Sequence, residues 1–176
     1  MYASDHARGS VKNCKIHHNA RAQVRRPVQV AYCSTDGAVQ VSLCGSANLV
    51  IESNSIFSGD DAGVVVYDSG LGHIVANDIY DNELAGVVIK TCGVCRCAGG
   101  VCLNQCPAGR PHVAGNKIHN SRQYGVLVTE DGIGLLSNNS IFDNSHAGVA
   151  IKGAAAPTFQ DNVISNGQDA GVVSAV

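Results

Sequence analysis

With 176 residues, a formal charge of −2 and a mean hydropathy of +0.06, the chain can bury a sizeable core without covalent staples, and it has no general attraction to nucleic acid or anionic lipid. No apolar run is long enough to span a membrane, and the N-terminus lacks an apolar signal-peptide core, which favours an intracellular home. The charge is uneven: residues 1–26 hold six Lys/Arg (Arg8, Lys12, Lys15, Arg21, Arg25, Arg26) against Asp5 alone, and the rest carries six basic and thirteen acidic residues. Such a basic start above an acidic body suits an acidic partner, the opposite end of another copy, or plain solvation.

In chain order, Val11, Cys14, Ile16, Asn19 and Val24 make a first coil of a pattern that becomes regular further on. Cys14 takes a position that later coils give to Asn, and it is expected to be a buried free thiol. An insertion at about 27–44, with Cys33 and Cys44, follows the Gln23–Arg26 strand expected to close that coil. Then Asn-x-Ile followed by Ala/Tyr-Gly-Val-x-Val/Ile recurs five times. Asn54, Asn77, Asn116, Asn139 and Asn162 open the copies, in steps of 23 residues except for one of 39. Self-similarity at a fixed period of this length marks a stacked solenoid.

Each unit holds short β-branched runs between Gly, Asn, Asp and Ser, so it reads as strands separated by bends. Three apolar columns run through the copies. One precedes the Asn (Ile51, Ile74, Val113, Leu136, Phe159), one follows it (Ile56, Ile79, Ile118, Ile141, Ile164), and one sits after the Gly (Val64, Val87, Val126, Val149, Val172). Three short strands per 23 residues predict an all-β parallel β-helix of about six coils. It forms a single domain over 1–176. The Asn column belongs at a bend, where stacked amides hydrogen-bond along the axis.

The longer step carries a second insertion at about 91–110, with Cys92, Cys95, Cys97, Cys102 and Cys106. Its Gly, Ala, Pro and polar residues cannot hold it together, so it needs cross-links or stays loose. The cysteines suit a zinc site, disulfides or free thiols; zinc is the one cofactor suggested. Both insertions are expected to leave after the same strand, two coils apart, and to touch.

The segments NDIYDNELAGVVIKT and NKIHNSRQYGVLVTEDGIGLLSNNSIFDNSHAGVAIKGAAAPTFQDNVISN resemble the right-handed β-helix repeats of CASH-domain, F-box-type proteins over about residues 50–91 and 111–176. In that family the β-helix recognises protein substrates for a ubiquitin ligase, so the resemblance implies a protein-binding scaffold. The same repeat occurs in polysaccharide-processing enzymes. Ser34-Thr35-Asp36-Gly37, Gly59-Asp60-Asp61 and Val88-Ile89-Lys90 superficially resemble the motifs of pectin-cleaving hydrolases. However, Asp60 and Asp61 fall in the turn before a strand, His73 lies half a coil further on, and Val88 stands where that family has Arg.

Candidate binding residues lie on the outward columns. Val65, Val88, Leu127 and Ala150 form an apolar strip, bordered by Tyr67, Lys90, Thr129 and Lys152. This strip is either exposed for a protein partner or covered by the insertions. Phe57, Tyr80, His119 and Phe142, with His17, form an aromatic strip that serves to grip a ligand or to pack ring on ring. His17, His18 and His119 show no second metal ligand at fixed spacing. Neither outward strip carries an acid–base pair, so the reading is a non-catalytic interaction scaffold. Its partner is a protein, which also suits the open coil ends, and the alternative is a carbohydrate-binding or carbohydrate-processing domain.

Overall fold

The computed structural model describes residues 1–4, 6–19, 39–91 and 108–175. It is a right-handed parallel β-helix with three sheets, whose strands are numbered in chain order. Sheet I contains β1 (Tyr2–Ala3), β4 (Val41–Leu43), β7 (Val64–Val66), β10 (Ala85–Ile89), β13 (Tyr124–Val128), β16 (Val149–Lys152) and β19 (Val172–Ala175). Sheet II contains β2 (Arg8–Lys12), β5 (Asn48–Glu52), β8 (His73–Val75), β11 (His112–Ala114), β14 (Leu135–Ser137) and β17 (Thr158–Gln160). Sheet III contains β3 (Lys15–His17), β6 (Ser55–Phe57), β9 (Asp78–Tyr80), β12 (Lys117–His119), β15 (Ser140–Phe142) and β18 (Val163–Ser165). Each coil takes one strand from sheets II, III and I in turn, and every pairing is parallel.

The register places like on like. Ile79 pairs with Ile56 and Ile118, and Val87 pairs with Val64 and Val126. Because side chains alternate along a strand, these columns all point inward. Ile51, Ile56, Ile74, Ile79, Ile118 and Ile141 are completely buried. Each contributes roughly 1.5–3 kcal/mol of transfer free energy, so the interior stack is the main source of cohesion.

The bends are set by left-handed backbone. Asn13, Ser53, Ala76, Gly115, Asn138 and Asp161 precede sheet III, and His18, Ser58, Asp81, Asn120, Asp143 and Asn166 follow it; all have φ between +52° and +63°. Asn, Asp and Gly adopt this conformation at low cost, which explains their abundance at these two corners. The three-residue strands of sheet III are therefore bracketed by left-handed residues.

Just inside the first corner runs the asparagine ladder. The Nδ2 groups of Asn54, Asn77, Asn116 and Asn139 donate to the Oδ1 of the next Asn up the axis at 2.9–3.0 Å. The same Oδ1 atoms accept the backbone N–H of the Asn below, so each amide satisfies main chain that the bend leaves unpaired. Asn82 and Asn144 repeat the device at the second corner, where they accept the N–H of Gly59 and Ser121 at 3.0 Å.

Three expectations are corrected. Residues 41–43 are not insertion: β4 pairs with β7 in register, Val41 on Val64, and it closes the first coil. Its Val41 and Leu43 are fully buried, whereas the expected Gln23–Arg26 strand lies outside the described residues. The two breaks in the repeat therefore open at different corners, one between sheets III and I and the other after β10 of sheet I, not after the same strand. Cys14 does occupy the ladder position, its N–H donating to Asn54 Oδ1 at 2.9 Å, but its thiol is exposed because no described coil lies beyond it.

Candidate functional site

The outward wall of sheet I carries the predicted apolar strip, and it is not open surface. Val65, Val88, Leu127 and Ala150 are buried in a second apolar cluster with Cys44, Ala62, Tyr67 and Ala85, against which Val39, Leu84 and Tyr124 pack. Part of the cover is visible. Lys152 reaches across the strip to Tyr124, donating to its Oη at 3.1 Å with its ammonium 4.7 Å from the ring centroid. The aliphatic stem of that lysine shields apolar wall while its charge stays at the rim. Lys90 and Thr129 border the cluster and are half-buried. Thr91, next to Lys90, donates to the Glu130 carboxylate at 2.5 Å. Tyr67 is buried, and burial pushes its phenol far above the usual range, with Cys44 adding to the effect.

The second predicted strip, on sheet III, is a continuous ladder of rings. His17 stacks on Phe57 at 4.6 Å between centroids, Phe57 on Tyr80 at 4.8 Å, Tyr80 on His119 at 5.3 Å and His119 on Phe142 at 4.7 Å. All four pairs are within 16° of parallel. The strand spacing of about 4.8 Å imposes this separation, so the rings meet face to face and present their edges outward. Beside them on the same face runs the in-register column Lys15, Ser55, Asp78, Lys117 and Ser140. His119 Nε2 lies 3.0 Å from Asp78 Oδ1 and ties two coils together. Burial raises the Tyr80 phenol above its usual range, and the carboxylates of Asp78 and Asp81 push the same way.

Acidic groups are engaged singly. Glu52 meets Lys12 at 2.5 Å, Glu83 meets Arg122 at 3.1 Å, and Asp169 meets His146 at 3.2 Å. Among the described residues, no three His, Cys, Asp or Glu converge to hold a metal. Asp60 and Asp61 sit in the turn ahead of β7, and His73 is on sheet II, so the pectinase-like set does not share one face. Asp61 is half-buried; burial raises its carboxyl, and Lys90 opposes the shift. On sheet II, His112 Nε2 lies 3.1 Å from Ser137 Oγ, but no carboxylate among the described residues bonds that imidazole to orient it for nucleophilic work. The candidate ligands Cys92, Cys95, Cys97, Cys102 and Cys106 lie outside the described residues, as do Cys33 and Ser34–Gly37.

The profile of the right-handed β-helix region matches residues 1–97 and 96–176, which together cover the chain. The chain belongs to the right-handed β-helix family. No curated protein and no solved structure matches it. The family describes the coil and supports either a scaffold or a carbohydrate-processing role, so the choice rests on the faces of this β-helix.

Sequence reasoning missed two features. The second ladder, with Asn82 and Asn144, was visible as Asn-x-Ile-x-x-Asn in two copies but is interrupted by Gly59 and Ser121. The Lys152–Tyr124 strap joins residues 28 apart on neighbouring coils, and no one-coil period reveals it.

Proposed function

We propose that this β-helix is a non-catalytic protein-interaction scaffold that works through the sheet III face. The observation carrying the reading is the ring ladder: five in-register rings flanked by Lys15, Asp78 and Lys117, on strands pinned at both ends by left-handed corners. A partner docking on so rigid a face loses little to reorganisation of the scaffold. The resemblance to substrate-recognising β-helices points the same way, toward a recognition or assembly component of a larger complex.

The ladder geometry disfavours the carbohydrate alternative. A sugar ring packs its C–H face on an aromatic face, and the interior faces here are already occupied by neighbouring rings. The test uses a photo-crosslinking amino acid at Tyr80 and, as control, at Gln160 on sheet II. The expected result is a discrete protein cross-link in lysate from position 80 alone, lost when Phe57→Ser removes the adjoining ring. Saturable binding on a glycan array, abolished by Asp60→Asn with Asp61→Asn, would overturn the reading.

A further inference from the structure

At the second corner of every coil the last residue of the sheet III strand is followed by a left-handed residue. A strand would send those two side chains to opposite faces, but the left-handed turn returns the second to the same side as the first. The described coils place His17-His18, Phe57-Ser58, Tyr80-Asp81, His119-Asn120, Phe142-Asp143 and Ser165-Asn166 at this corner. Only the first couples two imidazoles.

The two rings converge. His17 Nδ1 and His18 Nδ1 are 2.7 Å apart, a hydrogen bond in which one imidazole donates and the other accepts. Both rings are exposed, and both are held by Phe57, which stacks on His17 at 4.6 Å and meets His18 edge-on at 6.3 Å. The backbone is fixed as well: the His18 N–H donates to Ser58 O at 3.3 Å.

We propose that His17 and His18 form a two-nitrogen clamp for a tetragonal divalent cation of the Cu²⁺ or Ni²⁺ class, with solvent completing the coordination. Imidazole nitrogens bind borderline first-row cations at about 2.0–2.1 Å. At that bond length the observed 2.7 Å separation corresponds to an N–metal–N angle of about 80°. Opening to a square-planar cis angle needs about 0.2 Å of ring movement, whereas a tetrahedral angle needs about 0.6 Å. The clamp therefore favours tetragonal Cu²⁺ and Ni²⁺ over tetrahedral Zn²⁺.

Two substitutions taken from the sister coils remove ligands and keep the fold. His17→Phe preserves the ring stack, as Phe57 and Phe142 do, and His18→Asn preserves the left-handed corner, as Asn120 and Asn166 do. The full chain, with thiols blocked by N-ethylmaleimide to silence the cysteines, is titrated with Cu²⁺ by calorimetry and electron paramagnetic resonance. The expected result is one tight site with two-nitrogen hyperfine structure, at least tenfold weaker in either variant, unchanged in His119→Gln, and bound more weakly by Zn²⁺ than by Ni²⁺. Unchanged affinity in both variants, a one-nitrogen signal, or a preference for Zn²⁺ would overturn the proposal.

Discussion

Removing one amide from the middle of the asparagine ladder tests whether the corners, as well as the core, hold the coils together. Asn116 makes five side-chain hydrogen bonds. Its Oδ1 accepts the N–H of Asn77 at 2.9 Å and the Nδ2 of Asn77 at 3.0 Å, and its Nδ2 donates to Asn139 Oδ1, Ile74 O and Ala114 O at 2.8–3.1 Å. In Asn116→Ala the buried Asn77 N–H loses its acceptor outright, whereas Asn77 Nδ2 keeps Ile51 O at 2.8 Å. One orphaned N–H at about 1–3 kcal/mol, together with the lost bonds to two carbonyls, gives a cost of about 3–5 kcal/mol. Asn162 is the control. Its Oδ1 also accepts two bonds, but it is half-exposed in the last coil, where water can replace them, so Asn162→Ala should cost about 1–2 kcal/mol. Urea denaturation gives both numbers, provided the slope of the transition is unchanged. Equal losses at the two positions, or less than about 1 kcal/mol at Asn116, would refute the view that the ladder is an energetic element rather than a by-product of register.

Alkaline titration should find reluctant phenols. Tyr2 is 55% exposed, but partial burial of its phenol, reinforced by the Cys44 thiol at 3.2 Å, pushes it up to about 12, so the folded state resists its ionisation. Stability is then full below the unfolded value near pH 10 and drains as pH rises toward about 12, and Tyr2→Phe should flatten that slope in denaturation measured across this range; an unchanged slope would count against the assignment. The Gln40 and Gly59 positions should be coupled: Gly59→Asn and Gln40→Gly each destabilise, and the double variant recovers about 1–2 kcal/mol relative to their sum, measured as a double-mutant cycle. Strict additivity would sink that expectation.

The repeat made the inward columns and the first ladder readable, because a fixed step in sequence becomes a fixed rise along the axis. Ile56, Ile79, Ile118 and Ile141 fall on one buried line for that reason. The closing strand of the first coil is expected at Gln23–Arg26 rather than at Val41–Leu43, because Val24 and Val41 both offer an apolar residue near the right place. Only Val41, preceded by Gln40 rather than Gly, forms the rung that pairs with Val64. The fate of the sheet I strip was not legible. Whether Val65 and Leu127 meet water depends on Lys152, Tyr124 and Leu84, whose reach is set by rotamers and not by period. The ring ladder was legible as a column, but its stacking consumes the faces that a sugar would use, and that follows from the strand spacing, not from composition.

The exchange at Gln40 and Gly59 shows why departures from a repeat carry more information than the repeat itself. In regular coils a glycine at the start of the sheet I strand lies under an amide from the coil above. A Cβ on Gly63 would come within 2.9 Å of Asn82 Nδ2, and one on Gly125 within 2.8 Å of Asn144 Nδ2. The first coil reverses the arrangement. Gln40, in register with Gly63, is fully buried, and the corner position above it is Gly59, where a Cβ would meet Gln40 Nε2 at 2.9 Å. The amide has moved from the corner to the strand, and the glycine has moved the other way, so one packing volume is filled from either side but not from both. The hydrogen bonding is less complete: Gln40 Oε1 accepts from Asn19 Nδ2 at 2.5 Å, but its Nε2 has no partner among the described residues. The same coil also replaces the ladder asparagine with Cys14 and the small corner residue with His18. Departures from the repeat at structural positions thus concentrate in the first coil, and there a left-handed corner carries one imidazole beside another.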